Sequence, residues 1–228
     1  MKLYHHPAST TSRPVVLFAA EAGIPLELQV VDLFSGEQYG KPFEAINFNH
    51  QVPVLEDGDF RLTESSAILK YLADAAPGAA GSPAYPKELK QRARVNESMD
   101  WINTQLNREL GYGFVYPQCL PHHKRPTDAF QQAQLAWGRE RARQWLGVLD
   151  QHLLGPDKHW LCGDTLTIAD YFASGHVSAA ELTGNDYAGF PNVQRWLSRM
   201  KGLKAWGPVH DTFYGLATSI KGSPFVTL

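Results

Sequence analysis

A proline directly in front of a short apolar run constrains the fold more than any other feature of this sequence. Val52-Pro53 opens the run Val54–Glu56, the pair Asp57-Gly58 follows, and a second run reaches Thr63. Proline lacks an N–H, so within a sheet it is tolerated at the first residue of a strand. Asp-Gly between two such runs is a strong hairpin signal. We therefore expect a β-hairpin entered through a cis Val52–Pro53 peptide bond.

The residues that follow the hairpin predict a helix that begins with an acidic side chain and two hydroxyls. Thr63-Glu64-Ser65-Ser66 precedes a helical pattern that spans Glu64 to Ala75. Free N–H groups and the helix dipole favour an anion at such a start. Ser65 can donate to a carboxylate, and Glu64 can pair with an ammonium group. A hydroxyl at a helix start often only caps the helix. The order proline, hairpin, Glu-Ser and helix indicates instead a receptor for an amino-acid head group beside a peptide-docking strand edge.

The first third of the chain alternates between strand and helix patterns. The predicted elements are a strand at Leu3–His5, a helix at Pro14–Ala22, a half-buried strand at Leu26–Asp32 and an irregular helix at Gly36–Asn47. With the hairpin, this order predicts a mixed sheet with a crossover helix.

The rest of the chain reads as helical after a linker rich in Ala, Gly and Pro. Helices are predicted at Lys87–Asn107, Thr127–Leu153, Thr167–Leu182 and Pro191–Leu203. Thr167 and Asp170 have the spacing of a capping box. We therefore divide the chain into an α/β domain at 1–76, a linker at 77–86 and an all-helical domain at 87–228.

Composition excludes several classes of function. Hydrophobic residues make up 43% of the 228 residues and charged residues 19%, which permits a sizeable core, and the formal net charge of −2 does not favour nucleic acid or a membrane surface. The start of the chain lacks the apolar core of a signal peptide, and the only two cysteines, Cys119 and Cys162, are far apart. We expect a cytoplasmic protein without disulfides. The pairs His5-His6 and His122-His123 do not have the spacing of a metal site, so no metal is expected.

These motifs together resemble the cytosolic glutathione transferases over nearly the whole chain. The resemblance rests on Val52-Pro53, on Glu64-Ser65, on the capping box at Thr167–Asp170 and on the segment "FPNVQRWLSRMKGLKAW". It implies a thioredoxin-like N-terminal domain followed by an all-helical domain. It also implies a detoxifying homodimer that adds glutathione, as its thiolate, to small hydrophobic electrophiles such as halides, epoxides or peroxides. The alternative is a protein of this fold that binds or regulates without conjugating activity.

The family places the group that activates the thiol between the first strand and the first helix. Here this loop contains Ser9, Thr10, Thr11 and Ser12. Serine-type members of the theta and delta kind have Ser four residues before an Arg, and Ser9 keeps that spacing to Arg13. The resemblance therefore favours Ser9, with Thr10 as the second choice and Ser12 as a helix cap. The loop has no cysteine, which disfavours the disulfide exchange of cysteine-type members.

The resemblance also assigns the remainder of the site. Candidates for the glycyl carboxylate of glutathione are Gln38, Lys41, His50 and Gln51. Candidates for the electrophile pocket are Trp101, Tyr112, Phe114 and Tyr116. Phe213, Tyr214 and Phe225 belong to a long tail after Lys204, for which we expect a role as a lid.

Overall fold

A four-stranded mixed sheet forms the N-terminal part of the chain in a computed structural model, which describes residues 1–75 and 83–228. Its strands are β1 (Lys2–His5), β2 (Glu27–Val30), β3 (Val54–Asp57) and β4 (Phe60–Leu62). The strand order is β2-β1-β3-β4. β1 is parallel to β2 and antiparallel to β3, and β3 is antiparallel to β4.

The helices of this part are α1 (Ser12–Glu21), α2 (Lys41–Glu44) and α3 (Ser65–Ala75), with a 3-10 turn at Glu37–Tyr39. The Val52–Pro53 bond is cis, and Gly58 has a φ of 62° in the hairpin turn. Both predictions made from the hairpin sequence are confirmed. The helix after the hairpin begins at Ser65, one residue later than predicted, because Glu64 has a left-handed φ of 64°.

The predicted half-burial of the second strand is wrong. All four residues of β2 are exposed, with Leu28 at 46% and Val30 at 49%. β2 is an edge strand that pairs only with β1. The buried apolar residue of this segment is Val31, just after the strand, which packs with Phe43 and Val54 in a small core.

Helices make up the C-terminal part. They are α4 (Leu89–Trp101), α5 (Tyr116–Cys119), α6 (Asp128–Val148), α7 (Ile168–Ser178), α8 (Pro191–Lys201) and α9 (Trp206–Ser219). Two wider, π-type segments lie at Ile102–Val115 and Leu149–Leu154, and two 3-10 segments at Pro121–His123 and Ala179–Thr183. This architecture confirms the predicted fold class. Most of the predicted linker falls on residues 76–82, outside the described residues. Within the described ranges, no helix combines the length and apolarity needed to cross a bilayer.

Helical structure continues well past Asn107, where the sequence pattern predicted an end. The π-type segment carries the chain through Gly111 and Gly113 to Val115, and α5 follows at once. Helix α6 packs along this segment, and Gln134 donates to the carbonyl of Gly113 at 2.9 Å. Tertiary packing thus overrides the low helix propensity of the two glycines.

The capping box at the start of α7 is confirmed. The Asp170 carboxylate accepts the Thr167 N–H at 2.9 Å and the Thr167 hydroxyl at 3.0 Å. It also accepts the Leu161 N–H and the Trp196 indole N–H, so this buried carboxylate ties α7 to α8. Burial raises the pKa of Asp170, and these hydrogen bonds oppose that rise.

The two parts meet where α7 packs against the loop before α1. A Cβ added to Gly175 would lie 2.4 Å from both the Thr10 carbonyl oxygen and Pro14 Cγ, so only glycine permits this approach. Arg13 is 1% exposed and enters the helical part, where it donates to Ser178 Oγ at 3.0 Å and stacks on Phe213. One continuous hydrophobic core joins the two parts.

Candidate active site

A cavity of about 860 Å³ lies where the two parts meet. Its N-terminal wall includes the loop before α1, the segment around the cis proline and the start of α3. Its helical wall includes α5 and the π-type segment before it. The cavity therefore brings together residues more than 100 positions apart in the sequence.

In the loop before α1, the side-chain oxygen of Ser9 already accepts two hydrogen bonds. Ser9 Oγ accepts the backbone N–H of Thr11 at 3.3 Å and of Ser12 at 3.2 Å. These are free N–H groups at the start of α1, so Ser9 acts as the cap from outside the helix. The prediction that Ser12 caps the helix is wrong, because the helix begins at Ser12 and its buried hydroxyl has no hydrogen-bond partner among residues 1–75 and 83–228. Ser9, Thr10 and Thr11 line the cavity, and Ser12 is not part of its wall.

Thr11 joins Ser9 to the cis-proline segment. Thr11 Oγ1 donates to the Val52 carbonyl at 2.9 Å and lies 3.1 Å from Ser9 Oγ. A carbonyl only accepts, so the single Thr11 proton is used on Val52. Ser9 is therefore the donor in its bond with Thr11. In the unliganded site Ser9 donates its proton to Thr11 Oγ1. Because the Ser9 oxygen already accepts two N–H groups, the hydrogen bond that a ligand can take over is this donation.

The cis-proline segment offers backbone groups to the cavity. Val52 and Pro53 line it, and the Val52 N–H makes no hydrogen bond within the described parts of the chain. The preceding turn is rigid, because Asn47 Nδ2 donates to the Gln51 carbonyl at 2.8 Å and Asn47 Oδ1 accepts the Asn49 N–H. A peptide that binds at this segment can accept a hydrogen bond from the Val52 N–H, whose position the turn fixes.

The start of α3 contributes Glu64 and Ser65. Glu64 is exposed and has a φ of 64°, a conformation that costs a non-glycine residue about 1–3 kcal/mol. Ser65, the first residue of α3, is buried, and both residues line the cavity. A carboxylate thus stands beside the positive end of a helix dipole.

Gln38 and His50 form a second polar corner. His50 Nδ1 lies 2.8 Å from the Gln38 carbonyl oxygen, so Nδ1 carries the proton. In the neutral ring Nε2 is then the free acceptor, and it becomes a donor on protonation. Gln38 is 6% exposed, and its side-chain oxygen has no partner in the described residues. Both residues line the cavity with Gln51.

Aromatic rings line the wall of the cavity that the helical part forms. The Tyr112 and Tyr116 rings are 5.0 Å apart, and Tyr116 lies 5.5 Å from the His123 ring. The Tyr116 hydroxyl lies 2.6 Å from Thr10 Oγ1. Burial raises the pKa of Tyr116 to about 12, so this phenol stays protonated at neutral pH.

Three predicted site residues lie elsewhere. Lys41 is exposed at the start of α2, and Trp101 packs edge-on against Trp145 with ring centroids 6.0 Å apart. Phe114 is fully buried in the core. Tyr112 and Tyr116 are four residues apart and share a helix face. Phe114, midway between them, points to the opposite face. Trp101, Phe114 and Lys41 are therefore not among the residues that line the cavity, whereas the other predicted site residues are.

The C-terminal tail contacts the helical part without the predicted aromatic residues facing the cavity. Phe213 is buried on Arg13, and the Tyr214 hydroxyl donates to Glu181 at 3.0 Å. Leu216 of α9 lines the cavity instead. Beyond α9, the Val226 N–H donates to Gln118 Oε1 at 2.7 Å, which anchors the end of the chain.

Several cavity residues were missed by sequence reasoning. They are His6, Asn103, Asn107, Phe172, Leu182 and Leu216. The one available signal was the spacing of Asn103 and Asn107, which puts two amides on one face of a helix. Among residues 1–75 and 83–228, no group of three or more His, Cys, Asp or Glu side chains is arranged to hold a metal ion.

Comparison with known proteins identifies the family. Residues 1–74 match the family described as "Glutathione S-transferase, N-terminal domain", and residues 113–203 match "Glutathione S-transferase, C-terminal domain". Human glutathione S-transferase theta-2 is 33% identical over 204 residues, which are 88% of this chain and 80% of the human protein.

Two further proteins extend the likeness. The dichloromethane dehalogenase of Methylorubrum extorquens is 28% identical, over 88% of this chain and 70% of its own. A crystal structure of human glutathione transferase theta-2, in complex with glutathione and an unknown ligand, superposes with a TM-score of 0.83 at 30% identity, covering 99% of this chain and 92% of that one. The chain therefore belongs to the glutathione S-transferase family, with theta-like character.

Proposed function

We propose that this chain conjugates glutathione to small electrophiles and that the Ser9 hydroxyl stabilises the glutathione thiolate. Family membership supports the transferase reaction and glutathione as the co-substrate. The observation that carries the assignment of Ser9 is its hydrogen bonding. Its oxygen accepts two N–H groups from the start of α1, so its proton, which it donates to Thr11 in the unliganded site, is what can turn toward the sulfur. Backbone donors that polarise a hydroxyl oxygen make its O–H a stronger donor.

The size of the effect is adequate for activation. An ordinary thiol has a pKa near 8.5, so only a small fraction is ionised at pH 7. Lowering that pKa by about two units needs roughly 2.7 kcal/mol of preferential thiolate stabilisation. A hydrogen bond to a charged group contributes about 1.5–3 kcal/mol. The positive end of α1 adds to this, and Arg13 stays protonated near neutral pH although burial lowers its pKa to about 10.

The backbone, the γ-glutamyl group and the glycyl carboxylate of glutathione can each bind polar groups that line the cavity. The free Val52 N–H suits the peptide backbone at the cysteinyl residue. Ser65 and the start of α3 suit the γ-glutamyl carboxylate, and Glu64 suits its ammonium group. Gln38, His50 and Gln51 suit the glycyl carboxylate through their donors, which are the amide N–H groups of Gln38 and Gln51 and the Nε2–H of a protonated His50 ring.

The electrophile then occupies the helical side of the cavity. Tyr112 and Tyr116 supply aromatic walls, and Phe172 and Leu216 supply apolar ones. Halides, epoxides and peroxides are electrophiles of suitable size, and their conjugation is a detoxification reaction.

Three further assignments belong to the same proposal: the domain bounds, the oligomeric state and the location in the cell. We propose a division at residues 1–76, 77–86 and 87–228, which is supported by the position of all four strands before α3 ends at Ala75 and by the helices that follow from Leu89 onward. We also propose a homodimer located in the cytoplasm. Both are supported by the family resemblance of the sequence.

The experiment is to measure the ultraviolet absorbance of the thiolate in enzyme-bound glutathione as pH varies. We expect the bound thiol of the wild type to have a pKa well below about 8.5, and Ser9→Ala to raise it toward that value. Ser12→Ala is the matched control, because Ser12 is not part of the cavity wall, and it should titrate like the wild type. Saturable binding without a lowered pKa in the wild type would refute thiolate activation. A lowered pKa that survives Ser9→Ala would refute the assignment of Ser9.

A further inference from the structure

The turn that leads out of β1 places a histidine beside Ser9. The Ser9 N–H donates to the His6 carbonyl at 2.9 Å, which closes a β-turn with Pro7 and Ala8 at its centre. Proline is favoured at the second position of such a turn, and the first and fourth residues have Cα atoms less than about 7 Å apart. Both end residues, His6 and Ser9, line the cavity. The turn therefore brings two polar side chains together in the cavity wall.

The hydrogen bonding of His6 fixes which ring nitrogen carries the proton. The Ala8 N–H donates to His6 Nδ1 at 3.1 Å, so Nδ1 is an acceptor and the proton of the neutral ring is on Nε2. Burial lowers the pKa of His6, although the charge of Asp32 opposes this effect, so the ring is neutral near neutral pH. The side chain therefore has one N–H donor, at Nε2.

This donor is free and reaches the cavity. His6 Nε2 makes no hydrogen bond to any of residues 1–75 and 83–228, yet it is not among the polar atoms that are both fully buried and unpaired. Since His6 is only 6% exposed and lines the cavity, we take this accessible atom to face the cavity. The preceding residue differs: His5 is also 6% exposed, but its unpaired Nδ1 is fully buried and the residue is not part of the cavity wall.

Phe34 holds the imidazole ring of His6 in place. The two ring centroids are 5.0 Å apart, and the ring planes meet at 88°. The loop that carries Phe34 is itself held, because the Phe34 and Ser35 N–H groups donate to Asp32 Oδ1 at 2.9 and 3.2 Å. A donor that is oriented before its partner binds loses little freedom on binding, so the Nε2–H of His6 is suited to a charge that develops in the cavity.

We propose that His6 is a second catalytic donor, whose Nε2–H binds the same glutathione sulfur as the Ser9 hydroxyl. This inference rests on the proposed function, since it needs glutathione with its sulfur at Ser9. A thiolate has lone pairs for more than one donor, and each hydrogen bond that favours the charged form lowers the pKa of the thiol further. Because Nδ1 is occupied and Nε2 already carries a proton, the neutral ring cannot take up the thiol proton, which leaves to solvent. His6 therefore acts as a donor and not as a base.

The test is the ultraviolet titration of bound glutathione in His6→Phe, which keeps an aromatic ring against Phe34 and removes the donor. We expect the pKa of the bound thiol to rise by about 1 or more, because a hydrogen bond to a charged sulfur is lost. The sulfur of S-methylglutathione cannot ionise, so the Kd of this analogue should stay within about two-fold of the wild-type value.

Two further variants separate the donor from the structure of the turn. His6→Gln keeps an N–H donor near the position of Nε2 but loses the acceptor for the Ala8 N–H, so it should titrate close to the wild type. If the effect of His6→Phe came from a loosened turn, His6→Gln would show it as well. His5→Phe is the matched control, because His5 has the same exposure but lies outside the cavity wall, and the pKa of the bound thiol should not change.

A measurement on the wild type does not depend on the folding of any variant. In NMR spectra of protein with isotope-labelled histidines, the Nε2–H proton of His6 can be assigned through its contact with the Phe34 ring. This resonance should move downfield when glutathione binds as the thiolate, because the hydrogen bond is then to a charged acceptor. It should move much less when S-methylglutathione binds.

Three results would overturn the assignment of His6. They are an unchanged thiol pKa in His6→Phe, an equal rise in His6→Gln, and an Nε2–H resonance that responds alike to the two ligands. Failure of the Ser9 assignment is seen separately: Ser9→Ala would then leave the thiol pKa low while His6→Phe raised it. A wild type that binds glutathione without lowering its pKa would refute both.

Discussion

Replacing Thr11 by valine removes the hydroxyl that holds the Ser9 proton in the unliganded site. Thr11 donates to the Val52 carbonyl at 2.9 Å and accepts from Ser9 at 3.1 Å. A net hydrogen bond contributes about 0.5–1.5 kcal/mol, so losing two should lower the free energy of unfolding by about 1–3 kcal/mol. At roughly 2–4 °C per kcal/mol for a chain of this size, the Tm should fall by about 2–12 °C.

The same substitution should lower the pKa of the bound thiol. In the wild type, ionisation of the thiol requires the Ser9 O–H to leave Thr11 and turn toward the sulfur. In Thr11→Val that competing acceptor is gone, so the thiolate gains up to the free energy of one hydrogen bond. A gain of about 0.5–1.5 kcal/mol corresponds to a pKa lower by roughly 0.4–1.1. The ultraviolet titration of bound glutathione measures this directly.

Thr11→Ser is the matched control, because it keeps the hydroxyl and loses only a methyl group. It should titrate like the wild type and keep most of the stability. The direction of the pKa shift of bound glutathione in Thr11→Val shows whether Ser9 or Thr11 donates to the thiolate. A higher pKa would mean that Thr11 itself donates to the thiolate, and the hydrogen-bond order deduced for Ser9, Thr11 and Val52 would be refuted.

Two further predictions concern the junction of the two parts and its buried histidine. Gly175→Ala should destabilise the protein by about 1–3 kcal/mol, because the new Cβ meets the Thr10 carbonyl at 2.4 Å. Gly147→Ala, in helix α6 with nothing within 4 Å, should instead stabilise it by about 0.5–1 kcal/mol; equal effects in denaturant unfolding would contradict the close approach. Burial, reinforced by the Arg13 charge, lowers the pKa of His176 to about 3. The unfolded chain then binds more protons between pH 6.5 and 3, so stability should fall on acidification by about 1.4 kcal/mol per pH unit from this residue. His176→Leu should flatten that slope in urea unfolding, and an unchanged slope would argue against a neutral buried imidazole.

The features that were predicted correctly depend on residues close together in the sequence. The hairpin follows from Asp57-Gly58, the cis bond from Val52-Pro53 and the capping box from Thr167 and Asp170. Each is decided by the chemistry of at most four consecutive residues. The proposed glutathione side of the cavity is built mainly from such segments, and Ser9 and His50, which were named from the sequence, both line the cavity.

The electrophile side could not be predicted in the same way, because it depends on how helices pack. Aromatic composition suggested Trp101 and Phe114, yet their helix faces turn them toward Trp145 and the core. Helix propensity suggested an end near Asn107, yet packing against α6 carries the chain to Val115. The same continuation places Tyr112 and Tyr116 one helical turn apart in the cavity wall.

Contacts from the helical part hold the loop that carries Ser9, in addition to contacts from the N-terminal part. Helix α7 touches the Thr10 carbonyl through Gly175, Arg13 reaches Ser178 across the junction, and Tyr116 hydrogen-bonds Thr10. Each contact is made by a residue within four positions of Ser9 or by Ser9's direct neighbour. The position of the loop that carries Ser9 therefore depends on contacts from both parts of the chain.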